Sequence, residues 1–178
     1  LARVAGEVVL VGHSYGGAVV GGAAPRVATV RHVVYVTAFA LGPDETVSGI
    51  AGGVPAPTPR LRDAMVVRDD GICVLDPDIA PDALYGCCSP AAVAAALPRL
   101  TPHALSAFGQ APGASPLGAI PTTYVRCTLD RAIPIEQQDH MAARCDDVVT
   151  IATDHSPMLS ATGQLVDVLA GLAQNGAA

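Results

Sequence analysis

Ser14 stands in the run Gly12-His13-Ser14-Tyr15-Gly16-Gly17, a G-x-S-x-G pattern followed by one further glycine. A serine hydroxyl becomes a nucleophile when a base takes its proton and an acid orients that base. The residues just before, Val8-Val9-Leu10-Val11, are apolar and mostly β-branched, the pattern of a strand buried on both faces. Small residues suited to a helix follow. Strand, sharp turn and helix together project a hydroxyl from the strand's C-terminal edge. Glycines at 12 and 16 are expected because a β-carbon at either would crowd the turn. The backbone N–H of Tyr15, at the helix start, would then face a developing oxyanion with the helix dipole behind it.

Five histidines compete for the role of base. His13 lies inside the turn, aimed away from the serine's line of attack. His32 sits at a strand start, and His103 and His140 are expected in helical segments with polar neighbours. His155 falls in the loop Thr153-Asp154-His155-Ser156-Pro157, after the last strand and before the last helix. Loops at the carboxyl ends of parallel strands are where sites of open α/β sheets assemble, so His155 is the favoured base. Asp130 occupies the corresponding loop of the preceding strand and is the favoured acid. Asp44, Glu45 and Asp154 remain rivals; Asp154, a sequence neighbour of the histidine, is expected to cap its loop.

The elements that must position these residues alternate. Buried strands are expected at 8–11, 32–36, 122–127 and 148–151, and helices at 18–30, 135–145 and 163–174. Pro25 weakens the first helix, Pro134 starts the second, and Leu165, Val168, Leu169 and Leu172 share one face of the third. Strand-helix alternation implies βαβ units and a mostly parallel sheet flanked by helices, the α/β class. The exception is residues 44–116, rich in Pro and Gly, where only short helical pieces at 81–85, 90–97 and 102–108 are expected. That stretch reads as a helical lid inserted between core segments 1–43 and 117–178.

A formal charge of -6 with ten scattered basic residues excludes a nucleic-acid partner. No uninterrupted run of about 18 apolar residues offers a membrane span. The cysteines, at 73, 87, 88, 127 and 145, are odd in number and lack zinc-site spacing, so buried free thiols and a cytoplasmic location are expected. The chain opens at Leu1 and enters a strand within ten residues, which leads to the expectation that further sequence precedes it.

Four stretches carry a family resemblance: Val9-Leu10-Val11-Gly12-His13-Ser14-Tyr15-Gly16-Gly17, Val34-Tyr35-Val36-Thr37-Ala38-Phe39-Ala40, Asp130-Arg131-Ala132-Ile133-Pro134 and Asp154-His155-Ser156-Pro157-Met158-Leu159. With them the chain resembles the α/β-hydrolase superfamily, and within it the small-lidded branch of methylesterases and hydroxynitrile lyases. The resemblance implies catalytic Ser14, Asp130 and His155, an oxyanion donor at Tyr15, and a lid over the acyl and alcohol pockets. It also implies core strands before the elbow that this sequence does not include, with a second oxyanion donor on one of their loops. Hydroxynitrile lyases of the branch carry a lysine beside the catalytic histidine; Ser156 stands here, which favours ester hydrolysis.

The expected function is cleavage of a small carboxylic ester through an acyl-serine intermediate, with no metal or organic cofactor. His13, Phe39, Leu84 and Phe108 are expected to contact the substrate, and Met65, Val67 and Tyr85 to add apolar lid surface. The alternatives are a ligand-binding protein of weak turnover, or lyase-like activity. An unpaired sheet edge would invite association into a homo-oligomer.

Overall fold

The computed structural model describes residues 6–175. Its main sheet has four parallel strands in the order β1 (Val8–Ser14), β2 (Val30–Ala38), β6 (Thr122–Cys127) and β7 (Asp147–Ile151). β2 is central, and its side chains alternate between two cores. Val33 and Tyr35 join Tyr124 and Met141 on one face, beneath α1 (Gly16–Ala23) and α6 (Ile135–Ala142). Val34 and Val36 join Val125, Ile151 and Leu165 on the other, beneath α8 (Thr162–Asn175). Val168, Leu169 and Leu172 of α8 pack there as their spacing predicts. Helices on both faces let every βα loop open at one end of the sheet.

The elements differ from expectation in instructive places. α1 stops at Ala23, and Pro25 opens a single 3₁₀ turn at 24–26 instead of continuing the helix to 30. Proline lacks the amide that a helix interior needs and disfavours helical backbone in the residue before it. β2 is therefore longer than expected at both ends. Among the described residues β1 pairs on one side only; it is half-buried along most of its length, and Val11 is 41% exposed.

The insertion between β2 and β6 holds α2 (Val47–Gly53), α3 (Arg60–Ala64), α4 (Ala80–Leu84) and α5 (Pro90–Ala96). It also holds an antiparallel sheet, β3 (Met65–Val67), β4 (Ile72–Leu75) and β5 (His103–Ala104), where only helices were expected. His103 is consequently a strand residue paired with Cys73, not a helical one. A third core of Ala83, Leu84, Tyr85 and Ala132, backed by Leu61, Leu75 and Leu100, ties this layer to the loop after β6. The described cysteines are all free; Cys73 and Cys127 are buried, but Cys87 is exposed, contrary to expectation. Among the described residues no helix is long and apolar enough to cross a membrane.

Candidate active site

Ser14 ends β1 with φ +53°, a left-handed conformation unusual for a residue with a β-carbon. Such a turn persists only when its surroundings hold it. Here β1 keeps its register with β2 from Val9 to His13 and shifts between His13 and Ser14, and Phe39 donates its N–H to the Ser14 carbonyl at 3.1 Å. Close packing does the rest, at Gly12 as expected but at Gly17 in place of Gly16. A β-carbon on Gly12 would lie 2.5 Å from Val20 Cγ2, and one on Gly17 would lie 2.8–2.9 Å from Ala38 and the Phe39 backbone. One on Gly16 would meet nothing within 4 Å. The close approaches that require glycine are thus at 12 and 17, where α1 lies against its own strand and against the end of β2.

The Ser14 hydroxyl lies 2.9 Å from His155 Nε2, and His155 Nδ1–H donates to Asp130 Oδ2 at 2.7 Å. With its proton held on Nδ1, the ring offers Nε2 as acceptor to the serine. His155 and Asp130 are both buried. Two backbone bonds bring their loops together: Thr128 donates to Ile151 and Leu129 to Thr153, extending the β6–β7 pairing beyond both strands. Asp130 Oδ1 accepts the Ala132 and Ile133 amides at 2.6 and 3.0 Å, and Thr37 Oγ1 donates to Oδ2. Burial would raise the carboxyl's pKa; the His155 charge and hydrogen bond, then the Thr37 and Ile133 donors, outweigh it and leave the pKa below its usual value. Among the carboxylates weighed for the acid, Asp130 is the one at His155 Nδ1; Asp44, Glu45 and Asp154 make no hydrogen bond with His155's ring nitrogens.

Several supporting residues escaped the sequence reading. Thr37 holds φ +35° at the end of β2, a strained position for a β-branched residue, and spends its hydroxyl on Asp130. Buried Gln138 of α6 clasps the acid's loop: its Oε1 accepts the Cys127 amide, and its Nε2 donates to the Cys127 and Ile133 carbonyls. Asp154 caps the histidine loop as expected, taking the Ser156 amide and the Ser160 hydroxyl on Oδ1. Its Oδ2 reaches further, accepting the Cys87 amide at 2.7 Å and the Cys88 thiol at 3.5 Å, so one buried carboxylate pins the insertion to the histidine loop. Burial, then the Asp154 charge, pushes the Cys88 thiol up to about 11, which keeps it a donor. A strand-end threonine and an acid beside the histidine were visible in sequence; nothing marked Gln138.

His13 donates its Nε2–H to the His155 carbonyl at 2.7 Å, with the two ring centroids 4.7 Å apart. Burial, then repulsion from His155, lowers its pKa to about 4, so it is a neutral donor near pH 7. Above Ser14 and His155 lies a cavity of about 270 Å³. Of the residues expected to contact substrate, His13, Leu84 and Phe108 line it, with Met65 and Tyr85. Phe39 does not: it packs in the core beside Gly17, where its backbone shapes the elbow, and Val67 is 52% exposed on the outside of the lid. Tyr15 adjoins α1 as its N-cap, where first-turn amides lack intrahelical acceptors.

The family model for the alpha/beta hydrolase family matches residues 1–168. The chain belongs to that family. An alpha/beta hydrolase of Aspergillus novofumigatus is 29% identical over 167 residues, which cover 86% of this chain and 65% of the relative. The chain thus spans just under two-thirds of that relative's length. Among solved structures, a pyrethroid hydrolase superposes with a TM-score of 0.81 at 24% identity, covering 99% of this chain and 74% of its own. Polyneuridine aldehyde esterase gives 0.76 at 21%, with 97% and 74% covered, and a methylesterase from Arabidopsis 0.77 at 18%, with 97% and 72% covered. These likenesses show a shared fold.

Proposed function

We propose that this alpha/beta hydrolase chain cleaves small carboxylic esters through an acyl-serine intermediate. The observation that carries the reading is the unbroken relay Ser14 Oγ to His155 Nε2 at 2.9 Å and His155 Nδ1 to Asp130 at 2.7 Å. His155 takes the Ser14 proton as Oγ forms a bond to the ester carbonyl carbon. The carbonyl oxygen becomes an oxyanion facing the Tyr15 N–H, where the N-terminus of α1 favours negative charge. Collapse breaks the C–O bond, and His155 passes its proton to the departing alcohol. Water, activated by the same imidazole, then attacks the acyl group and frees Ser14. Asp130 keeps the ring in the required tautomer and stabilises its charged form. At about 270 Å³ the cavity lies just under the range usual for drug-sized ligands, which suits a small ester.

The test is release of 4-nitrophenol from 4-nitrophenyl butanoate by the wild-type chain and by Ser14→Ala. Sustained multiple turnover confined to the wild type supports esterase function. A single stoichiometric burst without turnover would instead favour a ligand-binding protein that retains the relay, and equal rates in the two proteins would remove Ser14 from the chemistry.

A further inference from the structure

His13 immediately precedes the nucleophile on β1, and its imidazole is spent on the backbone of the base. The hydrogen bond from His13 Nε2 to the His155 carbonyl, at 2.7 Å, joins residues 142 positions apart in sequence. A carbonyl oxygen can only accept, so Nε2 carries the proton and the ring is held as one tautomer. His155 is buried, and a buried carbonyl needs a donor. Its own loop supplies none: Leu159 and Ser160 donate their amides to Ser156, and Pro157 has no amide to offer. Among the described residues no donor other than His13 reaches that carbonyl. Nucleophile and base are therefore tied twice, side chain to side chain at 2.9 Å and, one residue earlier on β1, side chain to backbone. The first bond is remade whenever the proton crosses. The second involves no reacting atom and persists. The two imidazoles lie 4.7 Å apart between centroids, so a charged His13 would oppose an imidazolium at His155, whereas the neutral ring does not.

We propose that His13 is a positioning residue for the hydrolysis: its Nε2–H fixes the backbone of His155 to the strand that carries Ser14, keeping the imidazole within reach of the serine hydroxyl while the proton is transferred. The inference rests on the serine-hydrolase reading and deepens it, giving His13 a task beyond lining the cavity. Asp130 sets the tautomer of the base from Nδ1; His13 sets where the base stands. Small displacements matter at this contact, because about 1 Å of misplacement between reacting groups can cost about 10²-fold in rate. The bond to His155 involves no substrate atom, so its loss belongs in the chemical step and not in binding.

The experiment follows labelling of Ser14 by an alkyl fluorophosphonate, read as intact mass over time, in the wild-type chain, His13→Leu and His13→Gln. Leucine removes the donor; the side-chain amide of glutamine can present an N–H to the same carbonyl. His13→Leu should unfold cooperatively and reach the wild-type final adduct stoichiometry. Its maximal labelling rate should fall about 10- to 100-fold, with the half-saturating concentration unchanged. His13→Gln should recover most of that rate. A purely structural role would lower the final stoichiometry and leave the rate of the labelled fraction as in the wild type, and a substrate-binding role would move the half-saturating concentration. Either result, a wild-type rate in His13→Leu, or a glutamine variant as slow as the leucine one would overturn the proposal. The ¹⁵N spectrum of the wild type gives a check that needs no variant to fold: His13 should carry its proton on Nε2, and a proton on Nδ1 alone would also overturn it. A wild-type chain that takes no label sinks the hydrolase reading and the inference with it, whereas equal labelling rates in all three proteins sink the inference alone.

Discussion

Asp130→Asn is expected to preserve the fold and nearly abolish catalysis. Every polar neighbour of this carboxylate is a donor: the Ala132 and Ile133 amides at 2.6 and 3.0 Å on one oxygen, His155 Nδ1 at 2.7 Å and the Thr37 hydroxyl on the other. An asparagine must turn its NH₂ towards one of those pairs. Facing the backbone amides it would leave both unpaired, at about 1–3 kcal/mol each. Facing His155 and Thr37 it meets groups that can adapt, because the hydroxyl rotates and the imidazole can move its proton to Nε2. The second arrangement therefore prevails. It makes His155 Nε2–H a donor to Ser14, and a donor cannot withdraw the serine's proton. The loss expected is about 10⁴-fold in turnover, or about 5.5 kcal/mol of transition-state stabilisation. Hydrolysis of 4-nitrophenyl butanoate measures the loss, and cooperative thermal unfolding of the variant checks the fold. A variant that unfolds cooperatively and keeps more than a tenth of wild-type turnover would refute the orientation argument.

Asp154→Ala removes an acceptor shared by the Cys87 and Ser156 amides. It should cost about 2–4 kcal/mol of stability in denaturant unfolding, with faster amide exchange at residues 87 and 156 than at the elbow. Gly17→Ala, whose β-carbon would lie 2.9 Å from the Phe39 N and O atoms, should destabilise by about 1–3 kcal/mol, while Gly16→Ala, in open space, should leave the melting temperature unchanged within error. His13, depressed to about 4 in the folded chain, stays neutral while its unfolded counterpart protonates below about 6.5. The unfolded state then binds more protons, so this residue's effect is loss of stability as pH falls from about 6.5 to 4, up to about 3 kcal/mol in full. His13→Asn should flatten that slope in chemical denaturation at stepped pH. Asp130, with its pKa lowered, adds a contribution that is lost at still lower pH.

The arrangement of Ser14, His155 and Asp130 was legible in sequence because these residues sit at the C-terminal ends of strands that announce themselves. Thr122–Cys127 is β-branched and apolar enough to fix both its bounds, and the loops after it and after Ile151 carry Asp130 and His155. The insertion between β2 and β6 was less legible for a matter of length. Its strands run only three, four and two residues, too short for an alternation to register, and they are held by pairing across the insertion. His103 was misplaced on a helix for that reason. Phe39 and the glycines show a different limit. Sequence identified a tight turn, but which residue's β-carbon collides depends on how α1 settles against β2, a tertiary matter. Gln138 clasps the acid's loop from a helix eight residues beyond Asp130, with no motif to mark it.

The central claim is that Ser14 is an activated nucleophile within an assembled relay. Intact-mass measurement of the chain after exposure to a fluorophosphonate, with Ser14→Ala and His155→Ala alongside, tests it most directly. The account predicts one adduct on the wild type and none on either variant. An adduct that persists in Ser14→Ala, or an unmodified wild-type chain, would contradict it.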